Sequence, residues 1–188
     1  MSAHSLRLLK AMRTMADVAG ELEALILLAV RGEARPLPPG LPVADLGVDD
    51  AQLIPITHAV RARCDRAAQD NEKVAGFREL TQGIVELATA LSRHWVVVYV
   101  HCEFWAGDGI HAAIAWHRGS VIFGPRFTST PGERAEAPYE IADRPDMAIN
   151  AALRAVGIRA ERSADEFATA GLDRHRWTSE WVAQPDAG

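Results

Sequence analysis

Basic charge is scarce in this sequence. Its 20 lysines and arginines stand against 25 aspartates and glutamates, a formal net charge of −5. Residues 1–92 carry 12 acids against 10 bases, and residues 93–188 carry 13 against 10. Neither half has the electrostatic footprint of a nucleic-acid binder, whereas a mildly negative chain suits a basic protein partner. Cysteine is nearly missing too: Cys64 and Cys102 are the only two. One falls on an expected helix and the other inside an expected strand. They read as two free, buried thiols in a reducing compartment, not as a disulfide scaffold. Long apolar runs are also lacking. In the N-terminal segment Asp17, Glu21 and Glu23 interrupt the pattern, and the longest uncharged apolar stretch, Ala24 to Val30, is about a third of a membrane span. The segment is therefore expected to be neither span nor signal peptide, and the protein cytoplasmic. Finally, there is no HExxH pair, no serine in a nucleophile elbow, and no glycine-rich loop leading from a strand into a helix.

What is present is 48% hydrophobic and 24% charged, ordinary for a globular chain. In residues 5–31, Leu6, Leu9, Met12, Met15, Ala19, Leu22, Ile26 and Ala29 recur at helical spacing behind a capping Ser5. That predicts an amphipathic helix. The four prolines of residues 35–42 predict a stiff extended connector. From 50 to 92, apolar positions recur about every 3.5 residues, which predicts one long helix or a pair broken near Asp70-Asn71. Gly76 and Gly83 count against an unbroken rod. Residues 1–92 thus form an expected helical region. Residues 93–183 form an expected α+β region, with helices at 145–157, begun by Pro145 and stopped by Gly157, and at 163–171, capped by Ser163 with Glu166.

Residues 94–125 carry the strongest signal. Turn residues at 106–109 and 118–119 divide three β-branched and aromatic runs, the pattern of an antiparallel three-stranded meander. Pairing Trp105 with Ile110 across the first turn places Tyr99, His101, Glu103 and Trp105 on one face with Trp116, Val97, Val121 and Phe123. The other face holds Val96, Val98, Val100, Cys102, Phe104, Ala113, Ala115 and Ile122. The second face is small and aliphatic, suited to a covering helix. The first mixes large aromatics with a histidine and a carboxylate, a composition that recognition surfaces favour. It is either such a surface or a face covered by the N-terminal helices.

Other chemistry has weaker support. His101, Glu103 and His111 lie near the hairpin tip, but their spacing matches no ligand motif and the register sends His111 to the opposite face. Glu103 with Asp108 reads as a salt-bridged glutamate and a solvated loop rather than an acid/base pair. Cys102 beside His111 points into the core, where a thiol is inert. The run Asp173 to Trp177 reads as a helix-to-tail cap with Trp177 packed down. No metal, cofactor or catalytic residue is expected.

From Glu103 onward the chain resembles a group of small bacterial α+β proteins. They pair an acidic, aromatic, glycine-containing hairpin (here Glu103, Phe104, Gly107 and Gly109) with a C-terminal module matched by INAALRAVGI and DEFATAGLDRHR. The resemblance covers residues 96–176. Some proteins of this kind resemble immunity proteins, which neutralise a toxin by covering its active site. The resemblance implies a protein-binding module without catalytic residues. The expected fold is therefore α+β, with a helical N-terminal half packed on a meander of three or more strands and C-terminal helices. The expected function is occlusion of a protein partner such as a basic toxin domain, through Tyr99, His101, Glu103, Trp105, Asp108 and Trp116. No nucleic acid or membrane is expected as a partner. Two alternatives stand beside this: a small enzyme or metal- or ligand-binder using His101, Glu103 and His111, and a structural homodimer joined by the N-terminal helices.

Overall fold

A computed structural model describes residues 19–30, 37–68, 72–105, 108–133, 136–160 and 163–182. It is organised by one seven-stranded mixed sheet. The strands are β1 (Ala19–Ala29), β2 (Ala44–Asp45), β3 (Ala51–Pro55), β4 (Trp95–Trp105), β5 (Asp108–His117), β6 (Ser120–Ser129) and β7 (Glu140–Ile141). Their order across the sheet is β2-β3-β1-β4-β5-β6-β7. All neighbours are antiparallel except the short β6–β7 pair. Four helices are present among the described residues: α1 (His58–Ala67), α2 (Gln82–Leu91), α3 (Ala148–Ala155) and α4 (Glu166–Thr169).

The expected helical N-terminal half is overturned. Residues 19–29, read as the end of a helix over 5–31, form the central strand, and the start of that helix with Ser5 lies outside the described residues. β1 is hydrogen-bonded on both sides, to β3 over five residue pairs and to β4 along all eleven. A strand buried on both faces loses polar alternation and becomes a nearly continuous apolar run. Leu25, Ile26 and Leu27 are all fully buried, and each contributes about 2 kcal/mol by its burial. No apolar stripe of residues 19–29 is therefore left over for a helix-mediated dimer. Residues 51–55 are a further correction, being strand β3 where a helix from 50 was expected. The helix then begins after Thr57, whose side chain accepts a bond from the Val60 amide. The region 50–92 thus yields two separate helices, with 69–71 outside the described residues.

Side chains alternate between two cores. Leu22, Ala24 and Ile26 of β1 join Val98, Val100, Cys102, Ala113 and Ala115 beneath α3, with Leu172 and Trp181 closing that side. Leu25 and Leu27 join Val97, Tyr99, Ile110, Ala112, Ile114 and Trp116 beneath α1 and α2. The molecule is a helix–sheet–helix sandwich. α1 and α2 approach so closely that a Cβ on Gly83 would lie 2.8 Å from the Cys64 carbonyl.

The meander strands β4, β5 and β6 are consecutive neighbours, but β4 and β5 pair two residues tighter than expected. Trp105 meets Asp108, Glu103 meets Ile110, and His101 meets Ala112. A shift of two preserves faces. Register irregularities at Ala113–Trp116 do not preserve them for β6. Phe123 packs into the α3-side core, not beside Tyr99, and Val121 and Ile122 are half exposed. In the C-terminal part, a 3-10 turn at Arg144–Asp146 with Pro145 precedes α3, and Gly157 follows in left-handed conformation at φ +98°. The last helix is shorter than the expected 163–171 and is capped by Asp165, not Ser163.

Candidate functional site

The end of the sheet where β4 turns into β5 concentrates the polar chemistry. Register places Glu21 of β1 opposite Glu103 of β4, Glu23 opposite His101, and Ala19 opposite Trp105. Beyond the reach of β3, the C-terminal segment takes over as neighbour of β1. The Glu21 amide donates to the Arg176 carbonyl at 2.8 Å, and the Glu23 amide to Thr178 Oγ1 at 2.8 Å. This docking carries Trp177 to the same end of the sheet.

The result is a cleft of about 280 Å³ lined by Glu21, Glu103, Asp108 and Glu133, by Arg78, and by Trp105 and Trp177. Among the described residues, four carboxylates thus face one guanidinium. Arg78 bridges Glu103 at 2.9 Å and lies over the Tyr139 ring. Asp108 accepts from Thr130 Oγ1 at 3.1 Å, and Thr130 Oγ1 in turn accepts from the Gly109 amide at 2.9 Å. These bonds tie the start of β5 to the residue that follows β6. Trp105 and Trp177 are 48% and 41% exposed, unusual for the largest apolar side chain.

Beneath the cleft lies a buried polar layer. His101 is fully buried, with Nε2 3.6 Å from Glu103 and 4.0 Å from Glu21. Burial holds its pKa down at about 4, so the imidazole is neutral at pH 7. Burial raises the Glu21 carboxyl above its ordinary value, and the charges of Glu103 and Glu79 add to that effect. Deeper still, Glu23 accepts from Tyr99 Oη at 2.9 Å and contacts the Arg61 guanidinium. Arg61 also bonds the Glu79 carbonyl and lies 3.7 Å from its carboxylate, which Lys73 meets at 3.1 Å. Burial dominates at Glu23 and lifts its pKa to about 7 despite Arg61 and Tyr99.

The six expected contact residues divide in two. Glu103, Trp105 and Asp108 line the open cleft. Tyr99, His101 and Trp116 are 0%, 0% and 3% exposed and lie within the core, because α1, α2 and, between them, Phe77 and Leu80 cover that face. His101 and Glu103 share the cleft side, whereas His111 pairs with Cys102 on the opposite face. The three residues are not brought together, and no group of three metal-binding side chains occurs among the described residues. Cys102 is fully buried and its thiol is pushed up to about 12 by burial. Trp177 is exposed where a packed residue was expected. Trp181 takes the packed place, with His175 edge-on at 4.8 Å and Arg174 above it.

Sequence reasoning missed Glu21, Arg78, Glu133 and Trp177 as cleft residues. Glu21 and Glu23 alternate with Leu22 and Ala24, a period-two signal that the helical reading of 5–31 masked. Arg78, Glu133 and Trp177 reach the cleft from three separate loops, which no local pattern reports. No protein-family model matches the chain, nor does any curated protein or solved structure. No helix among the described residues is long and apolar enough to cross a membrane.

Proposed function

We propose that this chain is a cytoplasmic, non-enzymatic protein-binding module of the immunity type, whose cleft at the β4–β5 end receives a basic segment of a toxin domain and covers it. One observation carries the reading: two tryptophans remain in water at the rim of a cleft where, among the described residues, four carboxylates face one guanidinium. Lysine and arginine are the side chains such a cleft suits, through ion pairs with the carboxylates and cation–π contact with the indoles. Tryptophan is among the side chains most enriched at interface hot spots. The negative chain would also speed encounter with a basic partner, and would do so less at high salt.

The product of the adjacent gene is the first partner to test. Affinity is measured for the wild type, Trp105→Ala, Trp177→Ala and the double variant Glu21→Gln/Glu103→Gln. Each tryptophan variant should bind roughly thirtyfold more weakly, a loss of about 2 kcal/mol, while its melting temperature stays within about 2 °C. The carboxamide variant should lose salt dependence. A tight complex indifferent to all these changes would place the contact elsewhere.

A further inference from the structure

On the other face of the sheet, sharing Phe104 with the acidic cleft, a cavity of about 420 Å³ lies between β1, β4, β5, α3 and α4. Its walls are mostly apolar: Leu22, Phe104, Met147, Phe167 and Leu172. Its size and lining are those of a small-molecule site, apolar with few polar groups. Most of its polar groups are already used by the protein. Asp165 accepts from Arg144 Nε at 2.6 Å and from the Ala168 amide at 2.9 Å. Asn150 donates to the Arg144 carbonyl and accepts from the Phe167 amide, at 2.8 and 2.9 Å.

His111 is different. Its Nδ1 is buried with no hydrogen-bond partner among the described residues, and its ring lies 6.1 Å from that of Phe167. A proton on Nδ1 would strand a buried donor, which costs about 1–3 kcal/mol. The proton is assigned to Nε2, the ring nitrogen that is not among the fully buried unpartnered atoms, on a side chain that lines the cavity. Burial holds the pKa at about 4, so His111 offers a donor without a charge. Among the described lining residues, the charges of Arg144 and Arg176 are matched by those of Asp165 and Asp173, a balance that selects no ion. Cys102, at the floor, is too deeply protonated to attack a bound molecule.

We propose that this cavity binds a small, uncharged, ring-sized molecule bearing one acceptor oxygen, which takes a hydrogen bond from His111 Nε2. The site needs neither the acidic cleft nor its partner, although Phe104 lines both cavities.

The test uses acetophenone, which has both ring and acceptor, and ethylbenzene, which has the ring alone. Each is titrated into the isotope-labelled full chain and followed by NMR. Acetophenone should bind saturably at or below about 1 mM. It should shift the amides of Cys102, His111, Phe167 and Leu172 and move the His111 Nε2 resonance. Ethylbenzene should bind about five- to tenfold more weakly. In His111→Leu that preference should vanish, whereas His111→Gln, which retains a donor, should keep part of it. Absence of saturable shifts, shifts confined to the acidic cleft, or an unmoved Nε2 resonance in the wild type would each overturn the proposal. So would a preference that survives in a folded His111→Leu. The wild-type Nε2 measurement decides the matter if the variants do not fold.

Discussion

Replacing Glu23 by glutamine should change how stability depends on pH. The carboxyl is 3% exposed, between Tyr99 and Arg61. Its pKa in the folded chain is about 7, against an ordinary 4.5. Below pH 4.5 the group is protonated in folded and unfolded chains alike and costs nothing. As pH rises from there, the unfolded chain releases the proton while the folded chain keeps it, so stability falls. Above about pH 7 the full penalty stands, about 3 kcal/mol at 1.36 kcal/mol per pK unit. His101, the cross-strand neighbour of Glu23, runs the other way. Its pKa falls from 6.5 to about 4, so its contribution is complete above pH 6.5 and is lost as pH drops towards 4. Subtracting the variant from the wild type cancels His101 and every other background titration. Urea unfolding at pH 5, 6, 7 and 8 supplies the difference. Wild-type stability relative to Glu23→Gln should decline by about 2–3 kcal/mol across that range. A difference flat to within about 0.5 kcal/mol would refute the reasoning, because Arg61 would then be holding the carboxylate ionised throughout.

Two further outcomes follow from packing. Trp116→Ala, in the core beneath α1 and α2, should lose about 3–5 kcal/mol of stability. Trp105→Ala should lose little, so that chemical denaturation alone separates the buried aromatics from the exposed ones; equal losses would contradict the assigned faces. Gly83→Ala should destabilise by about 1–3 kcal/mol through the clash with the α1 backbone, although alanine is the better helix former by about 1 kcal/mol. A more stable variant in thermal unfolding would show that α1 and α2 have room to separate.

The hairpin of β4 and β5 was legible because its turn residues and alternation are local. Its faces survived a register error because the error was two residues. β1 was misread for a physical reason. AGELEALILLA is apolar on both sides because helices cover both faces of the sheet, and a short apolar run does not distinguish buried strand from buried helix. Just before β3, Asp49 and Asp50 form the turn into a five-residue strand where a helix from 50 was expected, with Asp50 at φ +58°. Half of the cleft was visible as Glu103, Trp105 and Asp108. The other half arrives by long-range docking: Arg78 from the loop after α1, and Trp177 through the bonds of residues 176 and 178 to β1.

Strand β1 behaves like a reading frame. Odd positions from Glu23 to Leu27 serve one core and even positions from Leu22 to Ile26 the other. Inserting one codon within it would exchange the two sets of side chains downstream. Leu25 and Leu27 would go to α3, and Ile26 to the space beneath α1 and α2. A codon inserted just before Glu23 would also turn its carboxyl away from Tyr99 and Arg61, into an apolar wall with no partner. Substitutions along β1 can be absorbed one core at a time, but a change of length disturbs both at once. In the history of this gene, insertions should therefore accumulate in loops such as 37–43, while β1 keeps its length through many changes of residue.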